Sequence, residues 1–321
     1  MNTIISAVPA EVNTTEIASK TQWLLENVEA YRVDQKKKGR PETTYQGRVR
    51  LLKQLLTLTD ITDPEAVKLF LSDDKKCHWA VTTKLKVVDT YSTYLKFNHV
   101  QWEPPTYRKI DKMPFIPTER EIDILIAGCG KITGTVLQTL KETGMRIGEL
   151  CRLKWTDLAL ENKTIMVALP EKGSNPRTLE ISDKLIGMLN TLPRTHGESI
   201  FQPDPRYLRE YFSIQRKQIA EKEKNPRILQ ISFKTLRHWR GTTLYYEVRD
   251  LMEVKYQLGH KSTRSTELYI HLSKAYYAGN TQKWVCIVVR TEEELINAIN
   301  SGFELVAETR GDFPRYLRKH K

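Results

Sequence analysis

The stretch that most constrains this chain is Gln101 to Pro117, where prolines stand at Pro104, Pro105, Pro114 and Pro117. Proline fixes φ and removes a backbone donor, so the stretch reads as an extended, semi-rigid connector. It ends in Thr118-Glu-Arg-Glu121. In that pattern a threonine and a glutamate three residues later satisfy each other's amides and open a helix. A chain punctuated in this way is expected to fold as two bodies. Its 321 residues suit that reading, because single cores stop growing near ~250–300 residues.

Ahead of the connector, apolar residues recur at helical spacing from Thr14 to about Asn98. One helix carries Ile17, Trp23, Leu24, Leu25, Val28 and Tyr31 and runs into a basic stretch ending at Arg40. A second carries Tyr45, Val49, Leu51, Leu52, Leu55 and Leu56. A third opens at Asp63-Pro64, with proline at the first helical position, and a fourth runs from about Trp79 to Phe97. Beyond the connector, helices are predicted over 118–128, 132–143, 147–152, 182–192, 204–222, 233–246, 250–259 and 263–272. Thr164–Ala168 and Arg177–Ile181 alternate as paired strands do, with dense turn chemistry over Glu171–Pro176 between them. After residue 280 the pattern changes. Trp284–Val289 reads as a buried strand, Thr291-Glu-Glu-Glu294 caps a helix that stops at Gly302, Phe303–Ala307 suits another strand, and Phe313–Lys321 reads as a basic tail. The expected fold is mainly α, an N-terminal helical bundle followed by a helical domain with a small antiparallel β-hairpin. The expected layout is a leader at 1–12, a helical domain at 13–100, the linker at 101–117, a second domain at 118–280 and an extension at 281–321.

Lysine and arginine outnumber aspartate and glutamate by 51 to 39, a net charge of +12 that favours a polyanionic partner such as nucleic acid or an anionic membrane surface. The basic residues Lys36, Lys37, Lys38, Arg40, Arg48 and Lys84, with Arg108 and Lys109 in the connector, are either DNA contacts or solvated faces. No apolar run approaches the ~20 residues of a membrane helix. Cys77, Cys129, Cys151 and Cys286 have no paired spacing, which argues against a disulfide framework or zinc site and for a reducing compartment. Met1 to Val12 lacks the basic start and apolar stretch of a signal peptide. A cytoplasmic, nucleoid- or DNA-associated protein is expected.

Phosphodiester chemistry needs cations for the non-bridging oxygens, an in-line nucleophile and an acid for the leaving oxygen. The sequence shows no carboxylate cluster suited to metal ions, but it offers Arg, Lys, His and Tyr at four places. Thr143-Gly-Met-Arg146-Ile-Gly-Glu-Leu150 would close a helix at a left-handed Gly144 and put Arg146 near the start of the next. Lys172 sits in the hairpin turn. Lys234 and Arg237 are three apart and would share a helix face. Leu258-Gly-His260 is followed nine residues later by Tyr269, in Glu-Leu-Tyr-Ile-His271. Taken singly, these are a surface arginine, a solvated lysine, a structural histidine and a core tyrosine.

Together they resemble the tyrosine recombinase family, which includes the Xer recombinases, Cre and lambda integrase. The resemblance covers about Thr118 to Tyr277. It implies that Arg146 and Arg237 hold the scissile phosphate and that His260 donates to its developing charge. It further implies that Lys172 protonates the departing 5′ oxygen and that Tyr269 attacks, leaving a 3′-phosphotyrosine. That bond conserves the phosphodiester energy, so no cofactor, ATP or metal is expected. The family's second box normally reads His-x-x-Arg, and here Lys234 takes the histidine's place, as in some archaeal integrases. Lys234 is therefore expected to act as a further phosphate-side cation, with burial beside the arginines opposing its charge. Glu149 is either a carboxylate that orients an active-site group or an ordinary surface residue. The family implies a two-domain clamp on double-stranded DNA and self-association into dimers or tetramers. It also implies that 281–321 docks on a neighbour or, alternatively, packs on its own domain. The task would be integration or excision of a mobile element, viral genome integration, or chromosome dimer resolution. A type IB topoisomerase, a catalytically inactive DNA-binding relative and an unrelated basic protein are the alternatives.

Overall fold

A computed structural model describes residues 14–110, 112–278, 284–307 and 314–320. The expected leader at 1–12 lies outside them. The chain divides into two compact units, up to Lys112 and from Met113.

The first unit holds four helices, α1 (Thr14–Lys37), α2 (Glu42–Leu56), α3 (Pro64–Ser72) and α4 (Val81–Phe97). α3 starts as its sequence dictates, with the Asp63 carboxylate accepting from the Glu65 amide and Pro64 in the first turn. The core gathers Val28, Tyr31, Leu52, Leu55, Val67, Leu71, Val87 and Tyr91. Its buried phenols are satisfied internally, Tyr91 donating to the Ile61 carbonyl at 3.0 Å and Tyr31 sharing a 2.7 Å hydrogen bond with Thr93. The connector has no helix or strand from 101 to 110, yet it is anchored. Trp102 meets Tyr91 edge-on at 4.8 Å, and Tyr107 packs against the same core.

The second unit runs α5 (Glu119–Gly128), α6 (Lys131–Thr143), α7 (Ile147–Cys151), β1 (Leu158–Ala159), β2 (Thr164–Val167), β3 (Arg177–Glu180), α8 (Asp183–Asn190), α9 (Pro205–Lys222), α10 (Phe233–Val248), α11 (Leu251–Leu258) and α12 (Arg264–Tyr276). The capping box at Thr118 and Glu121 opens α5. α6 is buried almost all round, and three of its four threonines fit there because the hydroxyl returns to a carbonyl four residues back. Thr135, Thr139 and Thr143 do so at 2.8, 2.8 and 2.6 Å. Val136, Leu137 and Leu140 of this helix join Ile122, Leu185, Phe212 and Leu236 in the main core. β1, β2 and β3 form one antiparallel sheet in that order, with Ile165 opposite Leu179 and Val167 opposite Arg177.

After α12 come β4 (Trp284–Val289), α13 (Glu292–Asn300), β5 (Glu304–Ala307) and β6 (Arg315–His320). Two corrections belong here. The stretch expected as a basic tail holds a strand: β6 pairs with both β4 and β5 and is the central strand. β4 is also not buried throughout, since Val288 is half exposed while Val289 packs with Ala298 and Leu317.

Candidate active site

Three turns of backbone bring the site together. Gly144 ends α6 at φ 60°, a left-handed position that glycine occupies without strain. The chain then reverses, and Arg146 stands at the N-cap of α7. Gly259 ends α11 at φ 68°, which delivers His260. The hairpin turn after β2 supplies the third side. Its Asn175 amide donates to the Gly259 carbonyl at 3.1 Å, and Ser174 meets the Arg146 guanidinium through its hydroxyl.

Glu149 is the hub of this arrangement and is no surface residue, being 2% exposed. Its carboxylate accepts from Arg177 at 2.7 Å, from the Arg146 side chain at 3.2 Å and backbone at 2.9 Å, and from the Glu171 amide at 3.2 Å. Burial by itself would raise the carboxyl's pKa. The Arg177 bond and charge overcome it and hold the group down to about 2.

Arg177 had no role in the sequence reading. A signal for it existed, because strand alternation puts residue 177 on the same inward face as Leu179. An arginine at an inward strand position requires a buried anion, and Glu149 is that anion.

Arg237 projects from α10 and is 8% exposed. Its guanidinium donates to the Gly144 carbonyl at 2.8 Å and the Leu258 carbonyl at 2.6 Å, so both helix-ending turns grip it. Burial, then the Arg146 charge, lower its pKa to about 10, leaving it protonated at neutral pH. Two of its five N–H donors are thereby engaged, leaving three for a ligand. His260 bonds Thr266 through Nδ1 at 2.9 Å. Its pKa falls to about 4 through burial and the nearby Arg237, Arg146 and Arg177, so the ring is neutral.

Tyr269 lies on α12 at 2% exposure. Its ring fills a slot that Gly241 of α10 leaves open, where an added Cβ would stand 2.6 Å from the ring. It stacks nearly parallel to His260, with centroids 6.2 Å apart. Burial raises the phenol's pKa, and Arg237 and Arg146 partly offset this.

Other expected residues stand apart from this cluster. Lys172 is exposed at the hairpin tip with φ 52°. Among the described residues it makes no recorded hydrogen bond or ion pair to the cluster. Lys234 is exposed while Arg237 is buried, so the burial envisaged for Lys234 is not there. The residue of that segment that does approach the tyrosine was not singled out: His238, whose Nδ1 lies 3.5 Å from the Tyr269 hydroxyl.

In the first unit, Lys36, Lys37, Lys38 and Arg40 are exposed, and Lys38 pairs with Asp34. Arg48 is engaged by Asp89 and Gln35. Lys84 is buried, paired with Asp74 and set over the Tyr107 ring, which makes it part of the packing rather than an open contact. Arg108 and Lys109 are exposed in the connector.

Two guanidiniums, Arg146 and Arg177, therefore bond one carboxylate, a third, Arg237, is held nearby by backbone carbonyls, and the His260 and Tyr269 rings complete the cluster. The surplus positive charge is suited to an anion with several oxygens. Among the described residues no group of three or more His, Cys, Asp or Glu is placed to hold a metal ion. No described helix is long and apolar enough to cross a membrane.

Residues 118–275 match the model of the phage integrase family. Among curated relatives, the tyrosine recombinase XerC of Xanthomonas axonopodis pv. citri is 29% identical over 150 residues, 44% of this chain and 48% of the relative. This chain thus spans about half of that protein. A tyrosine recombinase of Thermosipho africanus is 25% identical over 217 residues, 60% of this chain and 71% of the relative. XerA of Pyrococcus horikoshii is 24% identical over 216 residues, 65% and 75% respectively. Two solved structures share the fold. The Tn1549 transposon integrase in complex with transposon right end DNA has a TM-score of 0.58 at 16% identity, covering 80% of this chain and 99% of that one. The lambda integrase tetramer bound to a Holliday junction has a TM-score of 0.58 at 15% identity, covering 76% of each.

Proposed function

Since the chain belongs to the phage integrase family of tyrosine recombinases, we propose that it cuts and rejoins duplex DNA site-specifically, through a 3′-phosphotyrosine on Tyr269. The observation that carries this reading is a buried tyrosine set among guanidiniums whose charge one carboxylate leaves unbalanced. A phosphodiester supplies the missing negative charge. Arg146 and Arg237 take its non-bridging oxygens, their planar forks matching phosphate geometry. Glu149 and Arg177 keep Arg146 in place. His260 donates a hydrogen bond to the charge that grows in the transition state. Lys172 protonates the leaving 5′ oxygen from the hairpin tip, and Lys234 adds a cation at the rim. The partner is double-stranded DNA, on which copies of the chain assemble as dimers or tetramers. The setting is cytoplasmic and DNA-associated.

Neighbouring tyrosines are committed elsewhere. The Tyr276 hydroxyl donates to the Pro117 carbonyl at 3.0 Å, and Tyr277 stacks on Tyr246 with centroids 3.7 Å apart. The test is capture of the covalent complex on a nicked candidate site, followed by mapping of the modified residue. Tyr269→Phe should keep DNA binding and abolish the adduct. An adduct that survives the change, or that maps to Tyr276, defeats the assignment.

A further inference from the structure

Attack by Tyr269 requires its phenolic proton to go somewhere, and the lysine at the second box is exposed while the Tyr269 phenol is buried. One helical turn further along α10 the structure holds a different group. His238 Nδ1 lies 3.5 Å from the Tyr269 hydroxyl, with ring centroids 6.1 Å apart and planes tilted by 50°. We propose that His238 accepts the Tyr269 proton during strand cleavage and returns it during rejoining. This inference rests on the reading of Tyr269 as the nucleophile.

His238 follows Arg237 directly, so the grip of the Gly144 and Leu258 carbonyls on Arg237 also fixes the start of its neighbour's side chain. The charged and titratable groups around its ring are Lys234 and Arg237 on α10, Tyr269 on α12 and His260 after α11. Burial, then the Lys234 and Arg237 charges, lower its pKa to about 4. The imidazole is therefore neutral at pH 7 and has one nitrogen lone pair to offer. With the proton on Nε2, Nδ1 is the acceptor that faces the phenol. A separation of 3.5 Å is at the outer edge of hydrogen bonding, and such contacts shorten when substrate fills a site.

The step balances as follows. The Tyr269 oxygen bonds to phosphorus while its proton moves to His238 Nδ1. The bond from phosphorus to the 5′ oxygen breaks, and that oxygen leaves with a proton from Lys172. In rejoining, the 5′ hydroxyl attacks the phosphotyrosine and gives its proton back to Lys172. The Tyr269 oxygen departs and recovers its own from His238. The negative charge of a phosphate beside the ring raises the imidazole's pKa, so the acceptor is strengthened when the substrate is bound.

The experiment is single-turnover cleavage of a nicked candidate site by the full chain across pH 5 to 9, with His238→Gln, His238→Ala and Lys234→Ala beside wild type. Melting curves and half-site binding are run in parallel. His238→Gln should bind DNA as wild type does and cleave ~10²-fold more slowly, the low end for loss of a general base. Its rate should climb with pH where the wild-type rate levels off. Added imidazole should restore cleavage to His238→Ala, and Lys234→Ala should keep a profile that levels off, moved to higher pH because the Lys234 charge no longer depresses the imidazole. A His238→Gln protein that cleaves at the wild-type rate overturns the proposal. So does one that is slower with an unchanged pH profile and no imidazole rescue, because His238 would then only position Tyr269. If Tyr269→Phe still forms the adduct, the nucleophile reading itself has failed. If only the His238 variants behave as wild type, that reading stands and this inference falls.

Discussion

In the first unit Lys84 is drawn into the packing with its side chain 9% exposed, and Asp74 meets it at 3.2 Å, one carboxylate for one ammonium. In the second unit Arg146 and Arg177 share the single carboxylate of Glu149, Arg237 is buried beside them on the Gly144 and Leu258 carbonyls with no carboxylate of its own among the described residues, and the Glu149–Arg177 pair has no exposed side-chain surface at all. The first arrangement is electrically closed, and what surrounds it is a core of tyrosines whose hydroxyls are answered from within. The second is open by design of its charges. Burying cations without matching anions costs stability, which an arriving phosphate offsets. A core that concentrates unbalanced charge marks the place where a ligand completes the structure.

The contrast is most exposed to attack at Glu149. Replacing it with alanine leaves Arg177 buried and unpaired, and should destabilise the second unit by about 3–5 kcal/mol. The measurement is differential scanning calorimetry across pH. The carboxyl's pKa is depressed from 4.5 to about 2. Its contribution is therefore complete above about pH 4.5 and is lost as pH falls toward 2, so wild type and variant should converge in acid. Equal stability of the two at neutral pH would dissolve the comparison.

A smaller effect is expected at Gly241, where an added Cβ would stand 2.6 Å from the Tyr269 ring. Gly241→Ala should cost about 1–3 kcal/mol by overpacking and reduce adduct formation more than DNA binding, since it shifts the nucleophile and not the cations. Unchanged cleavage would mean that the slot does not set the ring's position. The smallest effect is expected in the first unit. Asp74 is 93% exposed, so Asp74→Ala should destabilise by about 1 kcal/mol or less, measured by urea unfolding. A loss comparable with that of Glu149→Ala would show that both units lean equally on buried charge.

Local signals in the sequence determined a great deal here. The Asp63-Pro64 start, the Thr118–Glu121 capping box and the glycine after Thr143 each depend on bonds within a few residues, and each stands in the structure where the pattern puts it. The helices of both units and the hairpin followed from apolar period. So did the mainly helical fold and the order of the motifs that carry the family resemblance. β6 was missed because Arg315–His320 is mostly basic and strand-like only through the partners on either side of it. Spacing also could not tell which side chains turn inward. Lys84 reads as one more surface lysine and is buried, Lys234 shares a segment with Arg237 and stays in solvent, and Glu149 could equally have been a surface residue. Those outcomes belong to tertiary structure. A side chain's pairing depends on groups that come from distant parts of the chain, as Arg177 does for Glu149 and Tyr269 for His238. Sequence fixes the turns that aim the backbone, and only the assembled fold sets which charges are left without a partner and which histidine meets the tyrosine.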